Sequence, residues 1–87
     1  MSENDSVDTR ALVIVYWRPG CPFCVNLRWG LRRLGIETDE RNIWSDSDAA
    51  AFVRSVNGGN ETVPTVVIAG SVFVNPTVRQ VKKELQA

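Results

Sequence analysis

Two cysteines separated by two residues are the part of this sequence best suited to chemistry. Cys21 and Cys24 are the only cysteines among the 87 residues, and Pro22 and Phe23 lie between them. Thiolates attack disulfides and bind metals. A structural zinc site needs further cysteine or histidine ligands, and the chain has no histidine, so a metal site is not expected. The pair therefore indicates thiol–disulfide exchange, against the simpler alternative of two small buried apolar side chains.

The segment before the pair determines which thiol should react. Residues 11–17 form a continuous apolar, β-branched run, which predicts a buried strand. The Arg-Pro-Gly sequence at 18–20 breaks this run, and a helix is predicted from Pro22 to Leu34. Cys21 then lies at the helix N-terminus, where unpaired amides and the helix dipole favour a thiolate, and Arg18 can add a cation. Cys21 is therefore the predicted nucleophile.

Cys24 should lie in a different environment. It falls one turn further along the predicted helix, on the apolar face that it shares with Leu27 and Leu31. We expect its thiol to be less exposed than that of Cys21 and to have the higher pKa. This difference assigns the roles, because the ionised thiol attacks a disulfide and the protonated one then resolves the mixed disulfide.

The rest of the chain predicts three more strands and two more helices. The strands are expected at residues 38–42, 65–69 and 72–74, the first as a solvent-exposed edge, and the helices at residues 46–56 and from residue 76 onward. Ser45 and Asn75 are the expected N-caps of these two helices. The predicted order is strand–helix–strand–helix–strand–strand–helix, which describes one α/β domain over residues 11–87.

Val63 and Pro64 come directly before the second apolar strand. A proline cannot sit inside a central strand ladder, so Pro64 at least marks the start of that strand. Alternatively, Pro64 is a cis proline that faces the cysteines and frees the backbone of Val63 to pair with a bound thiol. Because only about 5% of X–Pro bonds are cis, this second interpretation depends on the fold.

The composition limits the classes of partner. Ten basic and ten acidic residues cancel, which gives no electrostatic reason to expect nucleic acid or an anionic membrane as partner. No apolar run is long enough to span a bilayer. Residues 1–10 are polar and lack the features of a signal peptide, so they are expected to be a disordered lead-in. We expect a cytoplasmic monomer.

The sequence resembles the glutaredoxin family from Leu12 to Leu85. The matching segments are Tyr-Trp-Arg at 16–18, Cys-Pro-Phe-Cys at 21–24 and Thr-Val-Pro-Thr at 62–65. The resemblance implies a thioredoxin fold, in which three helices flank a four-stranded mixed sheet, and a cis peptide bond before Pro64. It also implies a set of residues that contact a thiol substrate, namely Arg18, Phe23, Thr62, Val63 and Pro64.

One segment differs from the pattern of glutathione-binding glutaredoxins. Those proteins carry two glycines and then, after a small residue, Ser/Thr-Asp where the last helix begins, and these groups hold the glutamyl end of glutathione. Here residues 74–78 read Val-Asn-Pro-Thr-Val, and Val78 stands at the aspartate position. Together with residues 52–60, this segment is similar to the actinobacterial mycoredoxins. Those proteins use mycothiol, a cysteine–sugar–inositol thiol without a glutamyl group.

The resemblance to mycoredoxins implies reduction of mixed disulfides between proteins and mycothiol, without a bound cofactor. Mycothiol would be the co-substrate, and an NADPH-dependent reductase would regenerate it. Two alternatives stay open. Iron–sulfur carriers of this family often have Cys-Gly-Phe-Ser, a pattern that Pro22 disfavours here. Redoxins that reduce ribonucleotide reductase take electrons from thioredoxin reductase and usually show Cys-Val-Gln-Cys, which this chain lacks.

Overall fold

The protein folds around a four-stranded sheet, seen in a computed structural model that describes residues 13–86. The strands are β1 (Val13–Trp17), β2 (Asp39–Asn42), β3 (Thr65–Ile68) and β4 (Ser71–Val74). Their order is β2-β1-β3-β4, with β2 parallel to β1 and the other pairs antiparallel. The predicted mixed sheet is confirmed. The expected lead-in, residues 1–10, lies outside the described residues.

Three helices cover the two faces of the sheet. They are α1 (Pro22–Arg33), α2 (Ser47–Val56) and α3 (Val78–Gln86). On one face, side chains of α1 and α3 pack against alternate residues of β1 and β3; this core comprises Val13, Val15, Leu27, Leu31, Val66, Ile68 and Val81. On the other face a smaller cluster joins β1 to α2 through Tyr16, Ile43, Ala49, Ala50 and Val53. None of the helices in this described part is long and apolar enough to cross a membrane.

Strand pairing brings the two functional segments together. Tyr16 of β1 is the register partner of Thr65, the first residue of β3. The loop that leaves β1 towards Cys21 therefore lies beside the segment that enters β3 through Val63 and Pro64. This neighbourhood follows from the antiparallel pairing of the two central strands, because the end of one strand then meets the start of the other.

The predicted N-cap of α2 is wrong by one residue. The cap is Asp46, whose carboxylate accepts a hydrogen bond from the amide of Ala49 at 3.1 Å. Ser45 instead donates its hydroxyl to the carbonyl of Asn42 at 3.3 Å and belongs to the preceding turn. Both residue types cap helices, but a carboxylate also interacts favourably with the positive end of the helix dipole.

The start of α3 is also later than predicted. The helix begins at Val78, and Thr77 is its cap: the amide of Gln80 donates to the Thr77 hydroxyl at 3.1 Å, and the Gln80 side chain accepts from the Thr77 amide at 2.8 Å. This reciprocal pair is a capping box. Asn75 is therefore not the N-cap. It adopts a left-handed conformation (φ 52°) that asparagine tolerates, and its amide donates to the carbonyl of Pro64 at 2.7 Å.

Strand β2 is the predicted edge strand, but its residues are half-buried rather than solvent-exposed. Ion pairs account for part of this burial: Arg41 pairs with Asp39 within the strand at 2.8 Å, and Glu40 pairs with α1. Glu40 accepts hydrogen bonds from Arg28 and Arg32, each at 3.0 Å. Arg28 also lies over the ring of Trp17, with its guanidinium carbon 3.8 Å from the ring centroid. These contacts join α1 to side chains of β1 and β2.

Candidate active site

Cys21 occupies the N-cap of α1. Its backbone is extended (φ −107°, ψ 107°), and its sulfur accepts a hydrogen bond from the amide of Cys24 at 3.3 Å. Pro22 follows in the first turn of the helix, where its missing N–H leaves no bond unmade. The sequence therefore places one sulfur at the positive end of the helix, as predicted. The residue is 5% exposed, which leaves its side chain a small accessible surface.

Cys24 lies in the interior of the protein and is 0% exposed. Burial, followed by the hydrogen bond with Cys21, raises the pKa of the Cys24 thiol to about 12, while a backbone hydrogen bond and the charge of Arg18 act in the opposite direction. Burial dominates because it disfavours the charged form of an acid. Both cysteines are free thiols. The predicted difference in burial is present, and Cys24 holds its proton at neutral pH.

The segment Thr62–Pro64 faces Cys21 from the start of β3. The Val63–Pro64 peptide bond is cis, as the resemblance implies. The Cys21 sulfur lies 3.9 Å from the carbonyl oxygen of Val63, in a geometry that allows the thiol to donate to it. Pro64 is fully buried, whereas Thr62 is exposed. The structure thus brings Val63 next to the predicted nucleophile, and Thr62 and Pro64 are its neighbours in the chain.

A partly buried polar network lies behind this segment, and sequence reasoning missed it. The hydroxyl of Thr65 donates to the carbonyl of Thr62 at 2.7 Å and accepts from the side-chain amide of Asn57 at 3.3 Å. The same amide donates to the carbonyl of Val53 at 2.8 Å. The sequence indicates Asn57 only as a helix terminator, because no local pattern pairs it with a residue eight positions later.

Arg18 lies on the other side of the site. Its guanidinium carbon is 5.8 Å from the centre of the Trp44 ring, a cation–π arrangement. Within residues 13–86 it makes no salt bridge. Trp44 is 64% exposed, and no motif in the sequence singles it out. The positive charge is therefore held near the cysteine pair by an aromatic ring rather than by a carboxylate.

A groove runs between the first turn of α1 and the segment that leads into α3. Its volume is about 320 Å³, and its walls are formed by Phe23, Asn26, Leu27, Asn75, Pro76, Thr77 and Val78. Phe23 is 63% exposed there, as expected for a residue that contacts substrate. The described lining carries no charged side chain. It offers one aromatic ring, two amides and a hydroxyl.

No described cluster of three or more His, Cys, Asp or Glu side chains could hold a metal ion. The chemistry that the described geometry supports is that of the thiol pair. One sulfur lies at a helix N-terminus beside a backbone carbonyl, and the second lies buried behind it.

Comparison with known proteins agrees with this geometry. The glutaredoxin family profile matches residues 13–74. The chain is 43% identical over 76 residues to a Mycobacterium tuberculosis protein that carries the glutaredoxin name, covering 86% of this chain and 90% of that protein. It is 37% identical to Mycoredoxin 1 of Corynebacterium glutamicum, with 86% and 94% covered. A crystal structure of a thioredoxin-like protein superposes with a TM-score of 0.73 at 26% identity, covering 84% of this chain and 97% of that one. The chain therefore belongs to the glutaredoxin family of thiol–disulfide oxidoreductases and is similar to Mycoredoxin 1.

Proposed function

We propose that this protein reduces mixed disulfides between proteins and a low-molecular-weight thiol, with Cys21 as the nucleophile and Cys24 as the resolving cysteine. The asymmetry of the two sulfurs carries the proposal. The sulfur of Cys21 accepts an amide hydrogen bond at 3.3 Å at the helix N-terminus, an arrangement that favours a thiolate. Cys24 is fully buried with its pKa raised to about 12. A dithiol protein of this kind suits the cytoplasm, where thiols are kept reduced.

The reaction consists of two disulfide exchanges. The Cys21 thiolate attacks the sulfur that belongs to the small thiol, a bond forms between these two sulfurs, and the protein thiolate leaves and takes a proton from solvent. A second molecule of the small thiol, as its thiolate, then attacks the sulfur of the small thiol that is bonded to Cys21. It releases a symmetrical disulfide and restores the Cys21 thiolate.

Cys24 provides a second route out of the intermediate. After losing its proton to solvent or to the leaving sulfur, Cys24 attacks the sulfur of Cys21 and expels the small thiol. The product is an internal disulfide, which two external thiols reduce back to the dithiol. Because the Cys24 thiol holds its proton tightly in the reduced protein, it does not compete with Cys21 for the first attack.

Mycothiol is the small thiol that the groove beside Phe23 supports best. Val78 stands where glutathione-binding relatives have the aspartate that pairs with the glutamyl ammonium. Within the described residues, no charged side chain lines this groove. The two amides and the hydroxyl of the lining can hydrogen-bond an uncharged polyhydroxylated group, such as the sugar and inositol of mycothiol, whereas the largely apolar remainder offers a glutamyl ammonium no partner. The similarity to Mycoredoxin 1 also favours it. Electrons would come from NADPH through a reductase that regenerates mycothiol.

The test compares electron donors in one assay. A peptide–mycothiol mixed disulfide is the substrate, and mycothiol with its reductase, glutathione with its reductase, or thioredoxin reductase supplies the electrons. We expect turnover with mycothiol to exceed turnover with glutathione by about tenfold or more, because a lost ion pair to a charged ligand group has an effect of that order. Equal rates with glutathione would contradict the assignment of mycothiol. Turnover sustained only by thioredoxin reductase would favour the ribonucleotide reductase type of redoxin.

A further inference from the structure

We propose that Thr65 and Asn57 are positioning residues that hold the Thr62–Pro64 segment in place for substrate. The inference rests on the proposed reaction at Cys21, because it concerns the backbone that lies opposite that sulfur. Neither residue reaches the reacting atoms. Both act through the hydrogen bonds that they make behind the segment.

The network forms a continuous connection from a helix to the substrate segment. The side-chain amide of Asn57 is anchored to the last turn of α2 by its 2.8 Å bond to the carbonyl of Val53. It donates next to the Thr65 hydroxyl at 3.3 Å, and that hydroxyl donates to the carbonyl of Thr62 at 2.7 Å. The position of Thr62 is thereby tied to α2 rather than only to its neighbours in the chain.

The same segment is also held from its other end. The carbonyl of Pro64 accepts a 2.7 Å hydrogen bond from the amide of Asn75. Between these two attachments lies the carbonyl of Val63, 3.9 Å from the Cys21 sulfur. The backbone of Val63 therefore lies beside the reacting sulfur, and a displacement of the segment would change the surface that a substrate bound to that sulfur meets.

Packing alone does not account for the hydroxyl of Thr65. The residue is fully buried and begins a strand whose next three residues are Val66, Val67 and Ile68. Valine has nearly the same shape and a comparable preference for strands, and it avoids burying a polar group. The hydroxyl is accommodated because it uses both its donor and its acceptor capacity, and both bonds serve the loop and its anchor.

The test uses Thr65→Val, which removes the hydroxyl, and Thr65→Ser, which keeps it. Ile68→Val is the matched control, since it trims a buried side chain of the same strand away from the site. The substrate is the peptide–mycothiol mixed disulfide. We expect Thr65→Val to lower kcat/KM about fivefold or more, mainly by raising KM, because a misplaced binding backbone loses affinity before chemistry. Thr65→Ser should stay within about twofold of wild type, and so should Ile68→Val.

Hydrogen exchange supplies a readout that does not need turnover. The amide of Asn75 is bonded to the carbonyl of Pro64, so loosening of the segment should speed its exchange in Thr65→Val but not in Ile68→Val. Asn57→Ala removes the other half of the network and should change both readouts in the same direction. This variant keeps the test available if Thr65→Val does not fold.

The outcomes separate the inference from the proposed function. If wild type reduces the mixed disulfide and Thr65→Val matches it in KM and in Asn75 exchange, the positioning role is wrong and the proposed function stands. If Thr65→Val and Ile68→Val lose activity equally, the effect is general destabilisation and the inference is again wrong. If wild type itself does not reduce the mixed disulfide, the proposed function fails and the inference fails with it.

Discussion

At the scale of single residues, two identical side chains acquire different chemistry from their surroundings. Cys21 lies at the N-cap of α1, where an amide points at its sulfur, and Cys24 lies one turn further, where no water reaches it. The spacing of three residues produces this difference, because one helical turn separates the end of the helix from its buried face. The assignment of nucleophile and resolving thiol depends on this difference.

The raised pKa of Cys24 predicts how stability depends on pH. An unfolded cysteine ionises near 9.0, whereas folded Cys24 holds its proton to about 12. Between these values the folded state binds more protons than the unfolded state, so stability falls as pH rises. The contribution of Cys24 to the free energy of unfolding is complete below about pH 9 and is lost towards pH 12. The free energy of unfolding falls by at most about 1.4 kcal/mol per pH unit in this range.

Urea denaturation under reducing conditions, at pH 8 to pH 11, measures this slope. The control is Cys24→Ala, which lacks the titrating thiol while the tyrosine, the lysines and Cys21 stay in place. We expect the free energy of unfolding to fall more steeply with pH in wild type than in the variant. Parallel pH profiles would show that the environment of Cys24 does not suppress its ionisation.

At the scale of elements, helix α1 carries the site and α3 holds it against the sheet. The two helices pack closely at Gly30, where an added Cβ would collide with the Val78 side chain. Glycine in a helix interior is unfavourable by about 1 kcal/mol relative to alanine. Close packing of α1 against α3 explains why the sequence has glycine at position 30.

Gly30→Ala therefore should destabilise the protein, although helix propensity alone predicts the opposite. We expect a loss of about 1–2 kcal/mol in the free energy of unfolding, the usual effect of overpacking a core. In a Val78→Ala background, which removes the colliding methyl groups, the same change should become neutral or stabilising. Urea denaturation of the four proteins measures this coupling. A gain in stability from Gly30→Ala in both backgrounds would show that the helices have room for a Cβ.

The elements were predicted more accurately than their caps. The predicted bounds lie within about two residues of those observed, and most of them follow from hydrophobic periodicity. Strand β2 is the exception, because its residues are polar and it was expected only as an edge strand. Ser45 fails as an N-cap because the adjacent Asp46 has a similar local preference for the cap position, and local rules do not choose between the two. Asn75 fails for another reason. Thr77 and Gln80 form a capping box, a local sequence pattern that the prediction of Asn75 overlooks.

At the scale of the whole molecule, sheet topology assembles the site from distant segments. The cysteine pair follows β1 and the proline segment precedes β3, and these strands are central, adjacent and antiparallel. The two motifs resemble those of glutaredoxins, and this resemblance was sufficient to predict that the proline segment faces the cysteine pair. The Thr65–Asn57 network and the contact between Arg18 and Trp44 were not predictable, because each joins residues whose proximity only the completed fold determines.

Trapping of the first mixed disulfide tests the roles of the two cysteines most directly. The reduced Cys24→Ser variant is mixed with oxidised mycothiol, and mass spectrometry of its peptides locates the adduct. Cys21→Ser, treated identically, is the control with only the buried thiol. We predict one mycothiol per chain on Cys21 in the first variant and essentially no adduct in the second over the same time. An adduct that forms readily on Cys24 while Cys21 stays unmodified would contradict the account.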